Sequence, residues 1–261
     1  MPNQQQAYIE FLGTGTSLGV PMIGCKCHVC TSSNPKDNRL RASALIKYKG
    51  KNIVIDCGPD FRTQLLRARV DDLEAVLVTH EHRDHIAGLD DVRSINYILR
   101  KPVGVYLSKE SMLAVKKEFP YIFNPGDYKG APQINFHHLS EDPFILNELR
   151  IIPLEVVHRN MKVYGFRIGD FSYITDANII PESTMELIKG SKILVINALR
   201  HKKHPSHFNL EEAVEIVKQI NPVKAYFTHL GHLIGNHDYI NKQLPKGMEL
   251  AYDGLGFWIN V

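Results

Sequence analysis

Long apolar runs are missing from this 261-residue chain. No stretch approaches the roughly 18 residues that a membrane-spanning helix needs. The opening Met1-Pro2-Asn3-Gln4-Gln5-Gln6 has neither the charged nor the apolar part of a secretory signal. Both absences predict a cytoplasmic protein with no membrane partner. Cysteine is scarce, four residues in all, and in a reducing compartment these are expected as thiols or metal ligands rather than disulfides. Excess charge is lacking too: 31 Lys and Arg face 28 Asp and Glu, a formal net charge of +3. So even a balance argues against a large nucleic acid partner and leaves a small anionic molecule open. Repeats, low-complexity tracts and linkers are absent, and 44% hydrophobic with 23% charged residues is an ordinary globular composition. One domain over residues 1–261 is the simplest reading.

What the chain does have is histidine and aspartate at the ends of apolar strands. Val76-Leu77-Val78 runs into Thr79-His80-Glu81-His82-Arg83-Asp84-His85, three imidazoles and a carboxylate spaced His-x-His-x-Asp-His. A strand end is a rigid mount, and mixed nitrogen and oxygen donors suit zinc, manganese or iron rather than calcium, which takes oxygen only. Four other apolar segments end in the same way, at Asp56, His158, Asp176 and His229. Repetition of that pattern predicts that these ends converge on one rim and form a two-metal site.

Strands are expected at 7–12, 42–48, 52–56, 103–107, 134–137, 148–157, 162–168, 171–175, 193–196 and 225–228, with Lys49-Gly50-Lys51 as a hairpin turn. Helices are expected at 61–68, 91–99, 108–118, 181–189 and 210–219, the last capped by Asn209. Residues 120–132 read as an irregular aromatic-rich loop. Gly13-Thr14-Gly15-Thr16-Ser17-Leu18-Gly19 does not fit a dinucleotide fingerprint and reads as a loop allowing close backbone approach.

Cys25-Lys26-Cys27-His28-Val29-Cys30 sits in a loop of about 20–35 with the spacing of a zinc knuckle that lacks one ligand. His28 is the local candidate, awkwardly placed inside the turn, and free structural or redox thiols are the alternative. Cys57, far away and at a strand end, reads as a packed core thiol. His137, His138 and His237 read as structural, and His201, Lys202, Lys203 and His204 as a solvated basic loop that could attract an anionic substrate.

These motifs resemble the metallo-β-lactamase superfamily, over nearly the whole chain from Phe11-Leu12-Gly13-Thr14-Gly15-Thr16-Ser17 to Ala251-Tyr252-Asp253-Gly254-Leu255. The resemblance implies an α/β (α+β) fold, a four-layer αββα sandwich of two mixed sheets with the metal site at one edge. It implies that His80, His82 and His158 hold one divalent metal, that Asp84, His85 and His229 hold the other, and that Asp176 bridges them. Asp56 would orient a ligand imidazole from behind. An acidic bridge resembles the phosphodiesterase and glyoxalase branches more than the zinc β-lactamases, which commonly carry Cys there. The cysteine cluster is similar to that of the cyclic phosphate phosphodiesterases of the carbon-phosphorus lyase pathway, which implies a structural zinc on Cys25, Cys27, Cys30 and His232 and suggests a homodimer. His207 matches a histidine that faces the metals, as general acid or phosphate clamp. The activity implied is hydrolysis of a small, cyclic or nucleotide-like phosphodiester by a hydroxide shared between two Zn, Mn or Fe ions. A tRNA 3′-processing endonuclease is the alternative in the same class, although its long basic arm has no counterpart here; a non-catalytic metal-binding protein is the alternative in another class.

Overall fold

The computed structural model describes residues 5–261. The first sheet has the spatial order β14 (Gly256–Asn260), β1 (Gln6–Gly13), β2 (Ser43–Tyr48), β3 (Lys51–Ile55), β4 (Ala75–Leu77), β5 (Val103–Leu107) and β6 (Ile134–His138). The second has β13 (Met248–Leu250), β12 (Lys224–Thr228), β11 (Ile193–Asn197), β10 (Phe171–Ile174), β9 (Met161–Ile168), β8 (Leu149–His158) and β7 (Phe144–Leu146). The turn between β2 and β3 places Lys49 and Gly50 at φ of 48° and 74°. Two successive positive φ values are what a tight hairpin of the right twist requires.

Alternation of buried and less buried residues along β1 and β8 turns one face of each sheet inward. Phe11, Ile46 and Ile55 of the first sheet meet Ile151, Phe166, Phe171 and Tyr173 of the second in one buried cluster. Burying each such aliphatic or phenyl side chain is worth about 1.5–3 kcal/mol. The strands β10, β11 and β12 are buried almost throughout because their other face is covered as well. There α6 (Glu182–Ile188), α7 (Leu210–Ile220) and α8 (His237–Asn241) close the second outer layer, with Ile188, Ala213, Val217 and Ile240 in its core. On the far side α1 (Phe61–Arg67), α3 (Val92–Leu99) and α4 (Lys109–Glu118) bring Phe61, Leu65, Ile95 and Val115 onto the first sheet. This is the αββα sandwich.

Direction of travel sets where the chemistry sits. The strands β3 and β4 are parallel, as are β10, β11 and β12. The strand β8 is antiparallel to β9, which is antiparallel to β10, so β8 and β10 run the same way. The residues that follow β3, β4, β10 and β12, and the last residue of β8, therefore gather at matching ends of the sheets. Elements not expected from sequence are short: α2 (Arg83–Ile86), a turn α5 (Pro120–Phe123) within the aromatic loop, α8, β7 and β13, together with β14 at the chain's end. Three to five residues are too few to display a period.

Candidate metal centre

Three of the strand-end residues have left-handed backbones: Asp56, Asp176 and His229 have φ of 63°, 54° and 55°. A non-glycine residue there costs on the order of 1–3 kcal/mol and persists only where neighbours impose it. Here the turns are tied down. Asp56 N donates to Leu77 O, Ala177 N to Asn197 Oδ1 and Leu230 N to Thr14 O.

The imidazoles are oriented from behind. Thr79 gives its amide to Asp56 Oδ1 at 2.8 Å and its hydroxyl to Asp56 Oδ2 at 2.9 Å. The Thr79 oxygen can then accept from His80 Nδ1, 3.0 Å away, which leaves His80 Nε2 without a proton. His85 Nδ1 donates to Asp56 Oδ2 at 2.7 Å. His158 Nδ1 donates to Ser206 O at 2.6 Å. All three rings thus turn Nε2 toward the same space, as second partners of metal-ligating histidines do.

That space holds two overlapping groups. Ligand atoms of His80, His82, His158 and Asp176 lie within 4.8 Å of one another, and so do those of Asp84, His85, Asp176 and His229. His80 Nε2 faces His82 Nδ1 at 2.9 Å. His85 Nε2 is 3.3 Å from Asp84 Oδ2 and 3.4 Å from Asp176 Oδ2, and His229 Nε2 is 3.0 Å from Asp176 Oδ1. Yet His85 Nε2 and both His229 nitrogens are buried without a hydrogen-bond partner among the described residues. Unsatisfied nitrogens aimed at buried carboxylates are costly unless a cation sits between them. Charge points the same way. Burial opposes ionisation of Asp84 and Asp176, but His85 and His229 outweigh it and hold both below the ordinary carboxylate range. His80 is held well below its usual range by burial and then by His85. His85 is pushed well above its usual range, because Asp84, Asp56 and Asp176 outweigh its burial. The donor set fits divalent metals of the zinc, manganese or iron type.

Asp56 is fully buried, and Asp56→Asn removes the acceptor charge behind His85. The expected result is a metal affinity of the Asp84–His85–His229 group about 10–100-fold weaker, measured by titration against a competing chelator. An unchanged affinity would remove Asp56 from this role.

His207 lies between the two groups. Its ring centroid is 4.6 Å from that of His158 and 4.8 Å from that of His229. Its Nδ1 has no partner among the described residues. Burial, and then His229, push its pKa down to about 3. Next to it is His204, with centroids 5.2 Å apart. His201, Lys202 and Lys203 are exposed, as a solvated basic loop requires, and half-buried His204 comes to the edge of the site. Hydrogen bonding to the backbone and to Ser206 decides this placement, and neither leaves a mark in residue spacing.

A third group lies apart. Cys25, Cys27 and Cys30 bring their sulfurs to 3.3, 3.4 and 3.5 Å from His232 Nδ1. With Zn–S and Zn–N of about 2.3 and 2.0–2.1 Å, a tetrahedron has S···N edges of about 3.5 Å, so the four residues have the shape of a closed zinc site. His28 is not in this group. The Cys30 amide, helped by His232 and opposed by burial, lowers the Cys27 pKa to about 6, whereas burial raises that of Cys30 to about 11. The loop is also held behind the sulfurs: Asp37 accepts from His237 N and Asn236 Nδ2, and buried Arg39 donates to Thr14 Oγ1 and Ala251 O. Cys57 is a buried core thiol. Among the other histidines, His237 packs in the Arg39 network at 3.2 Å and His137 stacks on Tyr106.

Residues 51–230 match the family described as the beta-lactamase superfamily domain. A solved diphosphatase of the PhnP family shares 40% identity, covers 98% of each chain and has a TM-score of 0.93. The chain therefore belongs to the metallo-β-lactamase superfamily, and within it is a PhnP-like protein. A Porphyromonas gingivalis protein named octanoyltransferase is 39% identical over 247 residues, 94% of this chain and 50% of its own length. A Clostridioides difficile ribonuclease Z is 30% identical over 151 residues, 54% of this chain and 46% of its own. The chain thus spans about half the length of these two curated relatives. No helix among the described residues is long and apolar enough to cross a membrane.

Proposed function

We propose that residues 1–261 work as one hydrolase domain that cleaves small phosphoric diesters with two divalent metals. His80, His82 and His158 would hold one metal, Asp84, His85 and His229 the other, and Asp176 would serve both. The observation that carries this reading is the sharing of Asp176 by two ligand groups with His207 lying against both. When bound, such a metal pair supplies a nucleophile from water at neutral pH and Lewis acidity toward phosphoryl oxygens. The chain's own part is to fix the ligand nitrogens through Asp56, Thr79 and Ser206. Through His207 it adds a donor toward an oxygen of the reacting group.

A small phosphodiester is favoured over transfer RNA, because the near-even charge gives little counter-ion release for a long polyanion. A diphosphate linkage is a second reading, supported by the 40% identical relative described as a diphosphatase. Octanoyl transfer draws no support from this match, since half of the octanoyltransferase lies outside it. Reduced thiols in the Cys25–Cys30 loop go with a cytoplasmic setting.

Protein reconstituted with zinc or manganese is expected to hydrolyse bis-p-nitrophenyl phosphate, to lose turnover in chelator and to regain it on metal return. Failure across a panel of cyclic, linear and diphosphate esters would sink the proposal. Cys27→Ser is expected to lower bound zinc by one equivalent per chain and to lower the melting temperature, because folding and a closed metal site are linked. Full zinc content in that variant would place the third metal elsewhere.

A further inference from the structure

The loop of residues 198–209 is fastened at several points. Arg200 Nε and Nη2 donate to Lys202 O and Lys203 O, each at 3.2 Å. His201 Nε2 is 2.9 Å from Ile234 O, and Phe208 N donates to Ala177 O. The loop ends on the capping box of α7, where Asn209 and Glu212 exchange hydrogen bonds. Ser206 faces two ways. Its carbonyl accepts from His158 Nδ1, while its amide donates to His204 Nδ1 at 3.4 Å and its hydroxyl lies 3.2 Å from the same atom. An amide can only donate, so His204 Nδ1 is the acceptor and the ring proton resides on Nε2.

His204 therefore offers an Nε2–H with no partner among the described residues. Its half-buried ring stands beyond His207, so that His229, His207 and His204 form a row leading out of the second metal group. A donor one step out from His207 is placed for an oxygen on the group next to the one His207 meets. A simple or cyclic diester has a single phosphoryl group, whereas a diphosphate has a second. We infer that His204 is a substrate-binding residue that selects a diphosphate by donating Nε2–H to the phosphoryl group that is not attacked. In that reaction the oxygen of water joins one phosphorus, and the bridging oxygen leaves with the other and takes up a proton. The inference rests on the phosphoester reading above and names its substrate class.

The test compares a nucleoside diphosphate ester with bis-p-nitrophenyl phosphate. In His204→Ala the ratio of kcat/KM for the diphosphate to that for the simple diester should fall about 10–100-fold, mostly through KM, as expected for a hydrogen bond to a charged group. His204→Gln keeps an N–H donor at a similar reach and should restore most of the ratio. Metal content, measured in parallel, should not change. An equal loss on both substrates, or no loss on either, would overturn the inference. If the wild-type protein turns over no phosphoester, the functional reading fails instead, and calorimetry then decides on His204. The loaded protein should bind methylenediphosphonate more tightly than methylphosphonate, and His204→Ala should erase that preference; a preference that survives overturns the assignment.

Discussion

Asp176→Ala is expected to lower kcat/KM for any phosphoester substrate on the order of 10³-fold or more, and to lower the metal content of the protein as well. Asp176 is the residue common to both ligand groups, almost fully buried, with Oδ1 3.0 Å from His229 Nε2 and Oδ2 3.4–3.5 Å from His85 and His80 Nε2. Removing it leaves imidazoles facing one another with no anion between them, and would take a negative charge from each metal of the proposed pair. In the proposed reaction several kcal/mol of transition-state stabilisation would depend on the metals, and each 1.36 kcal/mol is a factor of ten. Asp176→Asn, which keeps the shape without the charge, separates electrostatics from packing and should resemble Ala in activity while folding as the wild type. Wild-type turnover and two catalytic metals in either variant would exclude a shared carboxylate.

His207→Ala is expected to cut kcat by about 10²–10⁴-fold with metal content intact. The residue is buried between His158 and His229. Burial and His229 already hold it neutral, and cations in the two groups would depress it further. A neutral imidazole donates a hydrogen bond but has no extra proton to hand over, so in the proposed reaction it would serve as a clamp on a phosphoryl oxygen. The loss should then be equal for p-nitrophenolate and for alkoxide leaving groups. A loss confined to alkoxides, which need a proton as they depart, would make His207 the general acid instead.

Much of the site is written locally. His80 to His85 announce themselves because one turn supplies four donors. Asp56, His158, Asp176 and His229 can be picked out because each ends an apolar segment. Their grouping is not local: it follows from strand direction, which the apolar runs do not encode. For the fourth partner of the three cysteines, spacing alone falls short and only the family resemblance names His232. His28 is adjacent, whereas the structure brings up His232 from more than 200 residues away. Ser206 was invisible because it acts on His158 through its main-chain oxygen, which every residue type possesses. How near His204 comes to the site was hidden for the related reason that a loop's path is set by backbone anchors such as those of Arg200. The strands β7 and β13, of three residues each, had too little sequence to show alternation.

The left-handed turns at Asp56, Asp176 and His229 restrict the amino acids available to these positions twice over. Donor chemistry asks for carboxylate or imidazole, and the backbone independently favours Asp, Asn, His and Gly while excluding branched side chains. The two filters overlap on the residues found. Drift at these corners is accordingly channelled toward Asn or Gly, which would preserve the architecture and silence the chemistry, giving folded relatives that have lost their metals.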